Sequence, residues 1–79
     1  MQPEQIQAQI ESQIPDSQVQ VGIEGSHISL IVVSPAFEGL SSVKRQQTVY
    51  ATLADRIADG SIHAVHMKTF TPQEWQQQQ

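Results

Sequence analysis

Three side chains in this sequence can ligate a metal through nitrogen: His27, His63 and His66. No cysteine accompanies them, so the chain has neither a thiolate of its own nor a disulfide. His27 follows Gly25-Ser26 and opens one strand pattern, and His63 opens another, Ile62-His63-Ala64-Val65. If the two strands run parallel, their starts lie at the same end of the sheet, about 4.8 Å apart. Two imidazoles far apart in sequence then come within reach of one metal ion or cluster. Alternation works against the pairing. His27 falls on the face away from Ile28 and Leu30, whereas His63 shares the parity of Val65 and Met67, which read as core-facing. The bland reading makes His27 a solvated turn residue and His63 a hydrogen-bonded residue at the core rim. His66 shares a side with Ala64 and Lys68, and is expected to face solvent in a structural or neutral role.

The remaining polar groups carry less chemistry. Lys44-Arg45 is the only basic pair. It can contact a phosphate or an acidic partner, or serve as a solvated helical turn. Ser41-Ser42 stands before a helix and can hold an anion, but capping accounts for both residues. No serine sits in a nucleophile elbow, and Glu38 and Asp59 have no identifiable partner, so no constellation supports an enzyme. The formal charge is −4 with only four basic residues. Nucleic-acid binding draws its affinity from lysines and arginines that displace counterions, so this composition ranks it second.

The elements that must position these groups follow from pattern. A chain of 79 residues is one domain, burying only about 60% of its unfolded surface. Pro3 suits a first helical turn, and Ile6, Ile10 and Ile14 mark one apolar edge that Pro15-Asp16-Ser17 ends. Val19, Val21 and Ile23 alternate with polar residues, and Ile28, Leu30 and Val32 do the same after the Gly25-Ser26 turn. A two-residue hairpin pairs Ile23 with Ile28, Val21 with Leu30 and Val19 with Val32, so all six share a face. Ile31 and Val33 point the other way, which makes this strand central with some cover on its second side. Phe37 anchors a loop over Pro35–Leu40, and Gly39 is read as a place where a side chain would clash. One long helix is expected over Ser42–Ala58, with Val43, Tyr50, Leu53, Ala54 and Ile57 as its apolar stripe and Gly60 as its end. A third strand over Ile62–Thr69 follows. Thr71-Pro72-Gln73-Glu74 reads as a capping box. Trp75 folds back on the body, and Gln76 to Gln79 is expected to be a disordered tail. The order α-β-β-α-β-α describes an α+β two-layer sandwich, with helices on one face of a three-stranded mixed sheet. No apolar run reaches the roughly 20 residues of a membrane span, and the N-terminus lacks signal-peptide features. A cytoplasmic location without membrane association is the expectation.

Four segments, in this order and spacing, resemble the BolA family, in its short bacterial IbaG-type branch. They are Phe37-Glu38-Gly39-Leu40-Ser41, Val43-Lys44-Arg45-Gln46-Gln47-Thr48-Val49-Tyr50, Ile62-His63-Ala64-Val65 and Thr71-Pro72-Gln73-Glu74-Trp75. The likeness covers about Ile6 to Trp75, a BolA-like domain over 1–75. It implies a KH-like fold of class II type, though no Gly-x-x-Gly loop of an RNA-binding KH domain occurs here. It also implies pairing with a monothiol glutaredoxin, the two chains sharing a [2Fe–2S] cluster to which the partner and a glutathione give thiolates. The isolated chain would bind no cofactor. The family's histidine at the start of the last strand corresponds to His63, and its His or Cys in the hairpin loop to His27. Gly39, Ser41, Lys44 and Arg45 lie on the implied contact surface. Some relatives are described as DNA-binding regulators, which makes Lys44 and Arg45 the residues of the second-ranked function. Homodimerisation of the apo chain is left open.

Overall fold

The computed structural model describes residues 1–78. Its elements are α1 (Pro3–Gln13), β1 (Gln18–Glu24), β2 (His27–Val33), a 3-10 turn (Pro35–Phe37), α2 (Ser42–Thr52), α3 (Ala54–Ala58), β3 (Ala64–Phe70) and α4 (Pro72–Gln77). The Gly25-Ser26 turn closes the hairpin in the expected register, Val19↔Val32, Val21↔Leu30 and Ile23↔Ile28. β3 lies parallel to β2, with Ile28↔Val65 and Leu30↔Met67, and the sheet order is β1-β2-β3. The core gathers Ile28, Leu30 and Val32 from the central strand against Ile6, Ile10 and Ile14, with Phe37, Val49, Leu53 and Ile62 completing it. Fully burying side chains of this size stabilises the fold by about 1.5–3 kcal/mol each. The fold class is therefore the α+β sandwich that the sequence predicts.

The long helix is two. Leu53, at φ −113° and ψ 12°, breaks it between α2 and α3. The buried stripe also differs from the expected one. Val49, Thr52 and Leu53 face the core, whereas Val43, Tyr50 and Ile57 are exposed. Arginines cause the difference. Arg45, Val49, Thr52, Leu53 and Arg56 form the inward face, and its two ends are arginines whose stems cover apolar surface while their heads find partners. Arg45 lies against the Phe37 ring, 6.0 Å from its centroid, and donates from Nε to the Leu40 carbonyl at 3.0 Å. Arg56 Nε donates to Gln9 Oε1 at 2.7 Å. Gln9 Nε2 in turn donates to the Thr52 carbonyl and to Asp55 Oδ1, at 2.7 and 2.8 Å, which ties α1 to the break.

Caps hold the remaining ends. Ser41 Oγ accepts from the Lys44 N–H, and Thr71 with Glu74 forms the expected capping box. Gly39 has φ +79° with open space where a Cβ would stand, so backbone conformation, not a clash, selects glycine there. Val33 and Phe70 lie on the second face of the sheet, and α4 covers that end of it, with Trp75 at 5.3 Å from the Phe70 ring. Of the expected tail, Gln76 and Gln77 form the last residues of α4 and Gln78 caps it; Gln79 lies outside the described residues.

Two outcomes follow from this geometry. Gly25, at φ +62°, has nothing within 4 Å of the point a Cβ would occupy, so Gly25→Ala brings backbone strain alone. It should destabilise the chain by about 1 kcal/mol in urea denaturation. Gly22→Ala, in a strand and 4.0 Å from the Ser29 Cβ, should not; equal losses would contradict the assignment. Arg45 donates to both Glu74 oxygens, at 2.7 and 3.3 Å, and the Thr71 N–H adds a further bond. These bonds, Arg45 first, hold the Glu74 carboxyl below its ordinary range. A depressed folded value means the stabilisation is present above about pH 4.5 and is lost as the pH falls through that lower value. Fluorescence of Trp75, the single tryptophan, should therefore shift to the red on acidification, and Glu74→Gln should remove that step.

Candidate functional site at the hairpin end of the sheet

The strand starts converge because the crossover from β2 to β3 is helical, which permits a parallel pair. His27 pairs with Ala64, so His63 stands one residue ahead of the partner of His27. The His63 N–H donates to the Ser26 carbonyl at 2.9 Å, which continues the ladder into the hairpin turn. Backbone bonding thus fixes His27 and His63 as neighbours at one end of the molecule.

Side-chain direction is less simple. His27, Ala64 and His66 share the open face of the sheet, and Glu24 faces His27 across the hairpin. Together with Gly22 and Ser29 they line a cleft of about 720 Å³. Small residues in its middle make this face concave. Glu24 and His66 lie outside the pair that strand starts alone suggest, although hairpin register and alternation already place them beside His27. His63 is not in that lining. It precedes β3, and strict alternation would turn it toward the core with Val65. Instead Ile62 is buried at 3% exposure, its N–H donating to the Arg56 carbonyl at 3.2 Å, and His63 is exposed. The alternation of β3 therefore does not extend back to His63. The structure brings the two backbones together and leaves both side chains open to solvent, without placing both rings in one cleft. Among the described residues, no group of three His, Cys, Asp or Glu side chains could hold a metal ion.

The other candidate residues lie just before and within the first turn of α2, at its end away from the Leu53 break. Gly39, Ser41 and Lys44 are exposed. Arg45 is not free, since its side chain is 13% exposed and joined to Glu74 and Leu40. Asp59 is held below the ordinary carboxylate range by hydrogen bonds from Ser61, and its partner is thus a neighbouring turn residue rather than a site. No helix among the described residues is long and apolar enough to cross a membrane.

Comparison with known proteins agrees with this architecture. A family model described as "BolA-like protein" matches residues 1–74. The "Acid stress protein IbaG" of Escherichia coli K12 is 44% identical over 75 residues, covering 95% of this chain and 89% of that protein. The "DNA-binding transcriptional regulator BolA" of Vibrio cholerae is 50% identical over 52 residues, 66% of this chain and 48% of that one. A BolA protein homologue from Coxiella burnetii has a TM-score of 0.85 at 31% identity, over 96% of this chain and 97% of its own. With its sheet order, its hairpin and its C-terminal capping box all accounted for, the chain belongs to the BolA family.

Proposed function

We propose that this chain is a non-catalytic partner in iron–sulfur cluster handling, in a reducing compartment such as the cytoplasm. It pairs with a monothiol glutaredoxin, and a [2Fe–2S] cluster is the cargo held between them. The observation that carries this reading is the Ser26–His63 backbone bond, which sets two exposed histidines side by side at one end of the sheet. The donor chemistry fits. Neutral imidazole can replace thiolate on one iron of such a cluster, and the substitution raises its potential. A chain without cysteine can complete a cluster whose sulfur comes from a partner and glutathione, and cannot hold one by thiolates of its own. His63 is the first ligand and His27 the second. Gly39, Ser41 and Lys44 offer an exposed surface for docking, and Arg45 braces it from within.

A second reading, a nucleic-acid-binding regulator, draws on the name of the Vibrio relative. The charges support it less. Arg45 and Arg56 are engaged inside the molecule, while Lys44 on α2 and Lys68 on the open sheet face lie on different layers.

Anaerobic reconstitution with a monothiol glutaredoxin, glutathione, iron and sulfide tests the first reading through visible circular dichroism. His63→Ala should abolish the spectrum of the mixed complex, and His27→Ala should weaken it. An unchanged spectrum from His63→Ala would end the ligand assignment. The second reading predicts duplex binding that falls steeply as salt is raised and weakens when Lys44 and Arg45 both become Ala; absent or salt-independent binding rules against it.

A further inference from the structure

The chain reaches His63 from α3, and packing does little to place that helix. α3 has five residues, Ala54–Ala58, and none of them is buried. A helix of that length is not stable in water on its own. The buried side chains nearest it are Leu53 before it and Ile62 after it. Between those anchors, α3 is held by a single residue of α1. Gln9 Nε2 donates to the Thr52 carbonyl at 2.7 Å and to Asp55 Oδ1 at 2.8 Å, and Gln9 Oε1 accepts from Arg56 Nε at 2.7 Å. Each partner belongs to the helix break or to α3 itself. The break creates the need for this clamp. In an unbroken helix the Thr52 carbonyl would accept the Arg56 N–H. Here that N–H goes to the Leu53 carbonyl at 3.1 Å, which leaves the Thr52 carbonyl without its helical partner. A carboxamide answers all three groups, because it carries two donors and an acceptor on one plane. A carboxylate of the same shape would keep the Arg56 bond, but it has no donor for the Thr52 carbonyl and would face Asp55 with like charge.

The clamp reaches His63 through the backbone of Arg56. The Arg56 side chain is bound to α1, while its carbonyl accepts the Ile62 N–H at 3.2 Å. The next N–H along the chain, that of His63, donates to the Ser26 carbonyl at 2.9 Å. One continuous series of bonds therefore runs from Gln9 on α1 through Arg56 and Ile62 to His63 and the hairpin turn. We infer that Gln9 is the positioning residue for His63. It touches neither the imidazole nor any cargo. It fixes α3 and, through the Arg56 carbonyl, the point at which His63 joins the sheet. Gln9 lies 54 positions before His63, on the helical layer, and it serves the site by its amide chemistry and not by apolar packing. Its importance for a cluster ligand rests on the function proposed above; its hold on the His63 backbone does not.

Amide hydrogen exchange of the isolated full chain, read by nuclear magnetic resonance, tests the clamp without any cluster. Gln9→Leu should speed exchange of the Ile62 and His63 N–H groups about tenfold. Arg56→Leu should do the same, although it leaves the backbone carbonyl that holds Ile62 in place. Gln9→Glu should fall between Gln9→Leu and the wild type. Ile10→Val, next to Gln9 on α1, removes one methylene from the core and lowers overall stability without touching the clamp. It should leave both amides unchanged. Unchanged exchange in Gln9→Leu would overturn the inference. So would equal losses from Ile10→Val and Gln9→Leu at matched stability in urea, because Gln9 would then act only through the fold as a whole. In the reconstituted complex with a monothiol glutaredoxin and glutathione, Gln9→Leu should weaken the visible circular dichroism that depends on His63, and Ile10→Val should not. A spectrum unchanged by Gln9→Leu would overturn the ligand-positioning role. A wild-type chain that forms no mixed complex would end the proposed function instead, and the exchange rates would still decide the clamp.

Discussion

Everything at the functional end depends on the parallel pairing of β2 with β3. The pair is held beyond its own ladder at both ends. The His63 N–H reaches back to the Ser26 carbonyl at 2.9 Å, and the Ser34 N–H reaches the Phe70 carbonyl at 3.0 Å. Ser34 is fully buried, and its hydroxyl donates to the Pro15 carbonyl at 2.7 Å while accepting from the Ala36 N–H. One buried serine therefore joins the end of α1, the exit from β2 and the end of β3. A buried polar group without partners would be costly, so this site tolerates one arrangement of those segments and not several. The register that puts His27 beside Ala64 is the far end of the same constraint. A slip of one residue would turn Ile28, Leu30 and Val32 out of the core.

Much of the fold was legible because local chemistry and hydrophobic pattern agreed. Gly25-Ser26 demands a tight turn, and only one register then places the six apolar residues of the hairpin together. The isoleucine edge of α1 and the Thr71–Glu74 box were equally plain. The helix over α2 and α3 was not, because periodicity assumes that apolar residues mark the inside. Here Arg45 and Arg56 occupy the inner stripe and valine, tyrosine and isoleucine the outer one. The guanidinium partners, Glu74 and Gln9, come from the two ends of the chain, and no local pattern announces them.

The site divides in the same way. That His27 and His63 become neighbours could be derived from topology, since a helical crossover makes the two strand starts coincide. Which way each side chain leaves the backbone could not. His27 follows the alternation of β2, but Ile62 takes a core position that alternation would deny it, and this frees His63 from the inner face. The cause is tertiary. Ile62 is drawn into the core and its N–H to the Arg56 carbonyl, in a segment where no strand pairing yet governs direction.

The precision of the site therefore lies in its backbone and not in its rings. Metal-binding histidines are commonly oriented by a hydrogen bond to the second ring nitrogen, which fixes tautomer and direction. Among the described residues, neither His27 nor His63 has such a partner. The two Cα positions are set by the ladder, while both side chains keep rotamer freedom that must be given up on binding. A resident metal site would be poorly served by this, because affinity rewards preorganised donors. A shared site is better served. Under the proposed function, ring orientation is imposed by the surface that brings the sulfur ligands, and the two histidines contribute strongly only when that surface is in place. On the proposed function, loose rings on a rigid backbone make cluster binding conditional on the partner, as the uptake and release of a cargo require.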